Sequence, residues 1–259
     1  MLQIDRMPGD ALRAELLDLA HELGREDRQL AVLGEGNVSA DCGDGTFLVK
    51  ASGSSLATLA ADELSRVAHE RVRALLDGSE LDEEGIEAGL RAALIDPGER
   101  KPSVETFLHA LCLTVGGAHW VGHTHTVSVN QLLCSRHGAA AFARHVFPDV
   151  VVVCGRHVAS VPYVDPGLPL ARAVEAELRR FAEAHGRPPK LLLMENHGPV
   201  ALGQSATEVL NVMLMADKWA RTLVGAYAVG GPSFLAEADA DRIDGRLDEA
   251  YRRRRLTNQ

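Results

Sequence analysis

Residues 34–53 read GEGNVSADCGDGTFLVKASG, two short β-type runs, VSAD and TFLVK, on either side of a tight DCGDG turn. Apolar and β-branched residues bounded by glycine and aspartate form the pattern of a hairpin, whose two strands pair antiparallel. An antiparallel pair this early argues against a purely parallel doubly wound sheet, whose strands are joined by crossover helices. A mixed sheet covered by helices fits better, and the chain is expected to form one α/β domain over residues 1–259.

The remaining segments follow from periodicity. Leu12, Leu16, Leu19 and Leu23 keep helical spacing behind Asp10, a suitable N-cap, and this first helix should end near Gly24. Residues 80–95 are acidic and helix-prone, and DPGERKP at 96–102 marks a loop. Val104, Phe107, Leu108, Leu111, Cys112 and Val115 form the stripe of a buried helix face, with Glu105 in the first turn off that stripe. Strands are expected at 118–123, 150–153 (VVVV), 159–163 (ASVPY) and 191–194 (LLLM), and helices near 126–135 and over 168–185. Ser205 with Glu208 makes a capping box that opens a long helix, stopped by Gly230 and Gly231.

Composition narrows the function. The formal charge of −9 disfavours nucleic acid and anionic membranes as partners, and the RRRR run at 252–255 reads as a solvated tail or subunit contact. Cysteines 42, 112, 134 and 154 match neither zinc-knuckle nor C-x-x-C spacing, so they are expected to be reduced thiols in a cytoplasm. The N-terminal segment carries acids and lacks an apolar core, and no apolar run approaches the roughly 18 residues of a membrane span.

Chemistry concentrates in three places. VGHTHTVSVN at 121–130 sets His123 and His125 one residue apart, which on a strand directs both imidazoles to one face. His197 follows an apolar strand in LLLMENHGPV, at a turn where α/β folds expose reactive groups. Three imidazoles with an open position are the minimum for a catalytic divalent site. The other eight histidines, at 21, 69, 109, 119, 137, 145, 157 and 185, lack such pairing and are read as structural or surface residues. GEGNVSA at 34–40 and ASGSS at 51–55 offer backbone N–H groups and small hydroxyls, either as an anion cradle or as ordinary turns.

Taken together, GNVS at 36–39, SG at 52–53, KPSVETFLH at 101–109, HTH at 123–125, VPYVDPG at 161–167 and ENHG at 195–198 resemble the class II aldolase/adducin family, in the family's order. The resemblance implies a three-layer α/β/α fold with a mixed, largely antiparallel central sheet, and a homotetramer with active sites between neighbours. It assigns a divalent metal to His123, His125 and His197, zinc first, with manganese, cobalt or iron as alternatives. It puts Glu105 where family aldolases keep the acid/base carboxylate, and Asn37, Ser52, Gly53 and Ser103 where phosphate-sugar members hold the phosphate. The implied reaction is cleavage or formation of a carbon–carbon bond in a small carbohydrate, through an enediolate that the metal stabilises as a Lewis acid. His109 and Glu195 stand next in line as bases.

Two departures qualify the carry-over. Phosphate-binding members commonly show two serines before the acidic residue, whereas Ser103 is followed by Val104, which has no donor. The tyrosine that some aldolases use to protonate the leaving aldehyde has no clear counterpart in HVFPDVVVV, leaving Tyr251 as a candidate and Tyr163 as a structural residue. The family also contains dehydratases, epimerases and the adducin head, an interaction module. Epimerases tend to carry Asp at the Glu105 position, and a scaffold has no need of the histidines.

Overall fold

The computed structural model describes residues 9–78 and 81–246. The hairpin forms as its sequence dictates: β1 (Asn37–Asp41) and β2 (Thr46–Lys50) pair antiparallel, with Ala40 opposite Leu48. Beyond it come β3 (Leu64–Ala68), β4 (Trp120–His123), β5 (Ala159–Val161), β6 (Leu191–Met194) and β7 (Gly198–Gly203). They form one seven-stranded sheet in the order β3-β2-β1-β4-β7-β6-β5, antiparallel except for the β5–β6 pair.

Helices cover both faces, giving the three-layer α/β/α arrangement. On one side lie α1 (Gly9–Leu23) and, further along the chain, the segments Val127–Leu133, Pro148–Cys154 and Ala206–Ala228. On the other lie α2 (His69–Asp77), α3 (Glu83–Ala92), α4 (Thr106–Thr114) and the segment Leu168–His185. In chain order the later helices are α5 (Val127–Leu133), α6 (Pro148–Cys154), α7 (Leu168–His185), α8 (Ala206–Ala228) and α9 (Glu237–Gly245). Strand side chains alternate between the two layers, so both sets must be apolar. Val38, Ala40, Leu48, Trp120, Leu191 and Leu193 join the α1/α5/α6/α8 core, while Phe47, Val49, Val121, Leu192 and Met194 join the α2/α3/α4/α7 core.

The longest helix, α8, anchors its side through Trp219, which is fully buried, stacked on His145 at 5.3 Å and edge-on to Phe142 at 5.1 Å. Ser205 caps this helix by accepting the Glu208 N–H, and the Glu208 carboxylate accepts the N–H of Gln204 at 2.8 Å.

Several elements depart from the sequence expectation. The VVVV run is the body of helix α6 rather than a strand. Pro148 occupies its first turn after an extended Phe147, which is a favourable helix start. Val150 and Val153 face α8, and Val151 and Val152 pack with Ala240 and Ile243 of α9. Burying a valine stabilises by roughly 1.5–3 kcal/mol, which outweighs a helix-propensity cost of about 0.7 kcal/mol or less per residue. Asp10 lies inside the first turn of α1, where its carboxylate meets the helix dipole instead of capping it. Val104, assigned to a buried stripe, is 43% exposed because α4 begins two residues later at Thr106. Tyr251 and the RRRR run lie outside the described residues.

Strand register gathers the chemistry at one end of the sheet. Asn37, which opens β1, lies opposite His123, which ends β4, and His123 lies opposite Val200 near the start of β7.

Candidate metal centre

Each side chain of the cluster comes from a different local device. His123 is the last residue of β4, and His125 stands beyond the strand in the segment leading to α5, so the pair does not share one strand face as expected. His197 occupies the β6–β7 turn, where Asn196 adopts φ 54 and its neighbour Gly198 passes so close to the Thr124 carbonyl that a Cβ would sit 2.3 Å from it. Asn130 of α5 donates its side-chain amide to the His197 carbonyl at 3.0 Å. Glu105 occupies the N-cap position of α4.

These side chains converge. Nε2 of His123 and Nε2 of His125 are 3.2 Å apart, and Glu105 Oε1 lies 3.3 Å from His123 Nε2 and 3.4 Å from His197 Nε2. The four ligand atoms all lie within 4.8 Å of one another. Metal–nitrogen bonds of about 2.0–2.1 Å in a tetrahedron put neighbouring ligand atoms about 3.3 Å apart. The donor set therefore fits a divalent cation by chemistry and by spacing.

The outer hydrogen bonds strengthen that fit. The Pro199 carbonyl accepts from His123 Nδ1 at 3.0 Å, and a carboxylate oxygen of Glu35 accepts from His125 Nδ1 at 3.2 Å. Both rings thus carry their proton on Nδ1 and present Nε2 inward, the arrangement that orients imidazole ligands. Two such Nε2 atoms 3.2 Å apart need a proton or a cation between them.

Electrostatics agree. Burial would lower the pKa of His123, but the charge and hydrogen bond of Glu105 outweigh it, and the net shift is upward. Burial would likewise raise the Glu105 carboxyl, yet His123 and His197 hold it well below the usual carboxylate range. His125 is lowered by burial and by the neighbouring imidazoles.

The residues associated with phosphate fall into two groups. Asn37, fully buried, donates its side-chain amide to Ser103 Oγ at 2.9 Å, and the two stand beside the cluster. Ser52 and Gly53 are exposed on the loop after β2, joined to the same region because the Ser52 N–H donates to the Lys101 carbonyl and Ala51 bridges Pro102. No hydrogen bond joins the side chain of Ser52 to Asn37 or Ser103 among the described residues.

The two reserve bases have other roles. His109 is fully buried, its Nδ1 is 2.7 Å from Ser39 Oγ, and burial pushes its pKa down to about 3. Glu195 accepts the Ala139 N–H at 3.1 Å and takes no part in the cluster. Tyr163 is exposed and donates to Asp165. A groove of about 890 Å³ between α2, α4 and α7 lies away from all of this; its Arg73 and Arg179 are already paired with Asp77 and Glu175.

Sequence reasoning passed over Glu35. Its carboxylate lies between two glycines in GEGNVSA, a stretch read for its backbone N–H groups, and the acid itself was the available signal.

Comparison with known proteins follows the same direction. The family model for the Class II Aldolase and Adducin N-terminal domain matches residues 14–224. The chain is 27% identical over 217 residues to the uncharacterized oxidoreductase YuxG of Bacillus subtilis (strain 168), covering 79% of this chain but only 29% of YuxG's length. It is 28% identical over 214 residues to the 3-oxo-tetronate 4-phosphate decarboxylase of Escherichia coli (strain K12), covering 82% of this chain and 86% of that protein. Among solved structures, YgbL of Klebsiella pneumoniae superposes with a TM-score of 0.69 at 26% identity, covering 92% of this chain and 99% of that one. An L-fuculose 1-phosphate aldolase gives 0.64 at 17% identity over 95% of this chain and 100% of that one, a likeness of fold.

Proposed function

This chain belongs to the Class II Aldolase and Adducin N-terminal domain family, and from that membership we propose that it is a divalent-metal-dependent aldolase acting on a sugar or sugar phosphate. The observation that carries this reading is the meeting of His123, His125 and His197 with the Glu105 carboxylate. A cation held by the three imidazoles, zinc or another divalent ion such as manganese, cobalt or iron, supplies Lewis-acid stabilisation of the charge that develops on the substrate's carbonyl oxygen.

The chain's own residues do the rest. Glu105 is held as a carboxylate by its imidazole neighbours, so it can accept a proton without first losing one. In the synthetic direction it takes the proton from the carbon next to the carbonyl, and in cleavage it returns that proton. Asn37 and Ser103, with the Ser52–Gly53 loop, hold the far end of the substrate. Val129, Leu132 and Leu133 of α5, the helix that follows His125, anchor it in the buried core. The family likeness extends the same reading to a small carbohydrate as the partner and to a homotetrameric assembly. The four unpaired cysteines fit a reducing cytoplasm. Among the described residues no helix is long and apolar enough to cross a membrane.

A second reading, decarboxylation of a 3-oxo sugar-acid phosphate, is favoured by the 28% identity across 86% of the E. coli decarboxylase. Loss of carbon dioxide leaves negative charge at the same carbonyl oxygen, so the same residues would serve.

Metal-free protein reconstituted with each divalent ion, offered ketoses, ketose phosphates and 3-oxo acids, separates the readings. Metal-dependent release of a trapped aldehyde is the expected result. Carbon dioxide without aldehyde would transfer the assignment to the second reading, and full turnover in rigorously metal-free protein would sink both.

A further inference from the structure

Behind the imidazoles lies a buried sulfur that the mechanism above does not use. Met213 of α8 is fully buried, and so are Thr124 and Thr126, the residues on either side of His125. Thr124 Oγ1 stands 3.1 Å from Met213 Sδ, Thr126 Oγ1 stands 3.7 Å from it, and the two hydroxyl oxygens are 2.8 Å apart. A hydroxyl has a single proton, so one of the pair donates to the other and the remaining proton closes on the sulfur. Thr126 is the N-cap residue of α5, yet its side chain caps nothing. A threonine there ordinarily accepts a backbone N–H of the first turn, and that contribution is forgone for the contact with Thr124 and Met213. One turn further along α8, Asp217 accepts from Ser128 Oγ at 2.6 Å. Residues i and i+4 share a helix face, so one face of α8 takes hold of Thr124, Thr126 and Ser128 in succession.

Thr124 is where the ligand-bearing segments meet. It joins His123 to His125 in the chain. Its N–H donates to the Pro199 carbonyl at 3.2 Å, the same oxygen that accepts from His123 Nδ1 at 3.0 Å. Its own carbonyl lies against Gly198, beside His197, so closely that a Cβ on that glycine would not fit. A shift of Thr124 therefore moves all three imidazoles. A thioether is a weak acceptor, and its bond to a hydroxyl in itself adds little. The asymmetry of hydrogen bonding gives it weight: an apolar side chain in place of Met213 would leave a buried hydroxyl without an acceptor, which costs more than the bond contributes. The segment can relieve that only by moving.

We propose that Met213 is a positioning residue for the imidazole cluster: its thioether, through the Thr124 and Thr126 hydroxyls, sets the segment that presents His123 and His125 and braces the turn that carries His197. The inference rests on the reading of the cluster as a divalent-cation site. It deepens that reading by placing part of the cation's affinity in α8, a helix that supplies no ligand.

The test uses the full-length chain and compares Met213→Leu, which keeps the volume and removes the acceptor, with Met215→Leu, the same exchange on another face of the same helix. Chelator competition with zinc and with manganese should show affinity about tenfold weaker in Met213→Leu, the lower edge of what outer partners contribute, and unchanged in Met215→Leu. Selenomethionine-labelled wild type, whose selenium remains an acceptor, should bind as tightly as unlabelled protein. Thr124→Val should lose about as much as Met213→Leu, and Thr124→Ser should keep most of the affinity. The losses should not multiply when Met213→Leu and Thr124→Val are combined, because both remove one contact. Amide hydrogen exchange gives a readout without metal: the N–H groups of Thr124 and Val127, bonded to the Pro199 and Gln29 carbonyls, should exchange faster in Met213→Leu than in Met215→Leu. Wild-type affinity in Met213→Leu, an equal loss in Met215→Leu, or multiplied losses in the combined variant overturn the inference; so does a lower denaturation midpoint with unchanged affinity, the signature of a methionine that only fills the core. Should Met213→Leu not fold, Thr124→Val against Thr124→Ser decides: loss in the valine variant alone supports the inference, and equal affinity in the two overturns it. A wild-type chain that binds no divalent ion would overturn the proposed reaction, while faster exchange confined to Met213→Leu would leave this inference standing. Metal-dependent lyase activity with unchanged affinity and exchange in Met213→Leu would do the reverse.

Discussion

A carboxylate oxygen of Glu35 lies 3.2 Å from Nδ1 of His125, while the other accepts the Val32 N–H at 2.6 Å. The acid is therefore fixed by the backbone before it fixes the imidazole. Such a carboxylate orients the ring and raises the basicity of the opposite nitrogen, and outer-shell partners of this kind are worth about 10–100-fold in metal affinity. Glu35→Ala should lose affinity in that range, and Glu35→Gln, which keeps an acceptor without the charge, should lose less. Competition against a chromophoric chelator measures both. Wild-type affinity in both variants would show that the surrounding backbone alone holds His125.

Glu105 contributes in another way. Glu105→Gln is nearly isosteric and leaves all three imidazoles in place, so the fold and much of the metal binding should survive. Turnover should fall about 10²–10⁴-fold, the usual contribution of a positioned acid or base. Exchange of the donor's α-proton with solvent deuterium should stop in the same variant, which tests the step upstream of bond cleavage. Normal exchange at normal metal loading would return Glu105 to a structural part at the start of α4.

The hairpin, the α1 stripe, α7 and the long α8 were legible because each has a strong period closed by glycine or a cap. The α6 helix was not, since four consecutive valines carry a β preference that only the neighbouring helices α8 and α9 override. The site divides along the same line. His123, His125, His197 and Glu105 could be picked out by residue type and family order, although the expected shared strand face fails because β4 ends at His123. Glu35 was hidden because its significance lies in a partner 90 residues away in the chain.

His109 yields a pH dependence. Its pKa is depressed to about 3 from an ordinary 6.5 because the ring is fully buried. Below pH 6.5 the unfolded chain takes up a proton that the folded chain refuses, so stability from this group is intact above 6.5 and falls progressively towards pH 3. The total loss is on the order of 5 kcal/mol at most. His109→Asn, which keeps a polar atom near Ser39 but cannot titrate, should flatten the acid limb of a urea-midpoint profile between those values. A limb as steep as that of the wild type would show that His109 takes up its proton in the folded state.

Gly36 couples the fold directly to the cluster. It adopts φ +79, and a Cβ there would stand 2.8 Å from the His123 carbonyl oxygen and 2.9 Å from Leu56 Cδ1. The leucine methyl can move aside, but the carbonyl belongs to the strand end that carries the imidazole. Left-handed backbone costs a non-glycine residue of order 1–3 kcal/mol, and the clash adds to it. Gly43 provides the control, because it adopts φ +71 with open space around it and so isolates the backbone term. Gly36→Ala should therefore destabilise the chain by about 1–2 kcal/mol more than Gly43→Ala, the range of an overpacked contact. It should also weaken divalent-metal affinity, which Gly43→Ala should leave alone, since relief of the clash displaces the end of β4 and with it His123. Denaturation midpoints and chelator competition on the two variants measure the pair of effects. Equal destabilisation with equal metal affinity would mean that β1 can yield around the added methyl without moving His123, and that this glycine is required only for its turn.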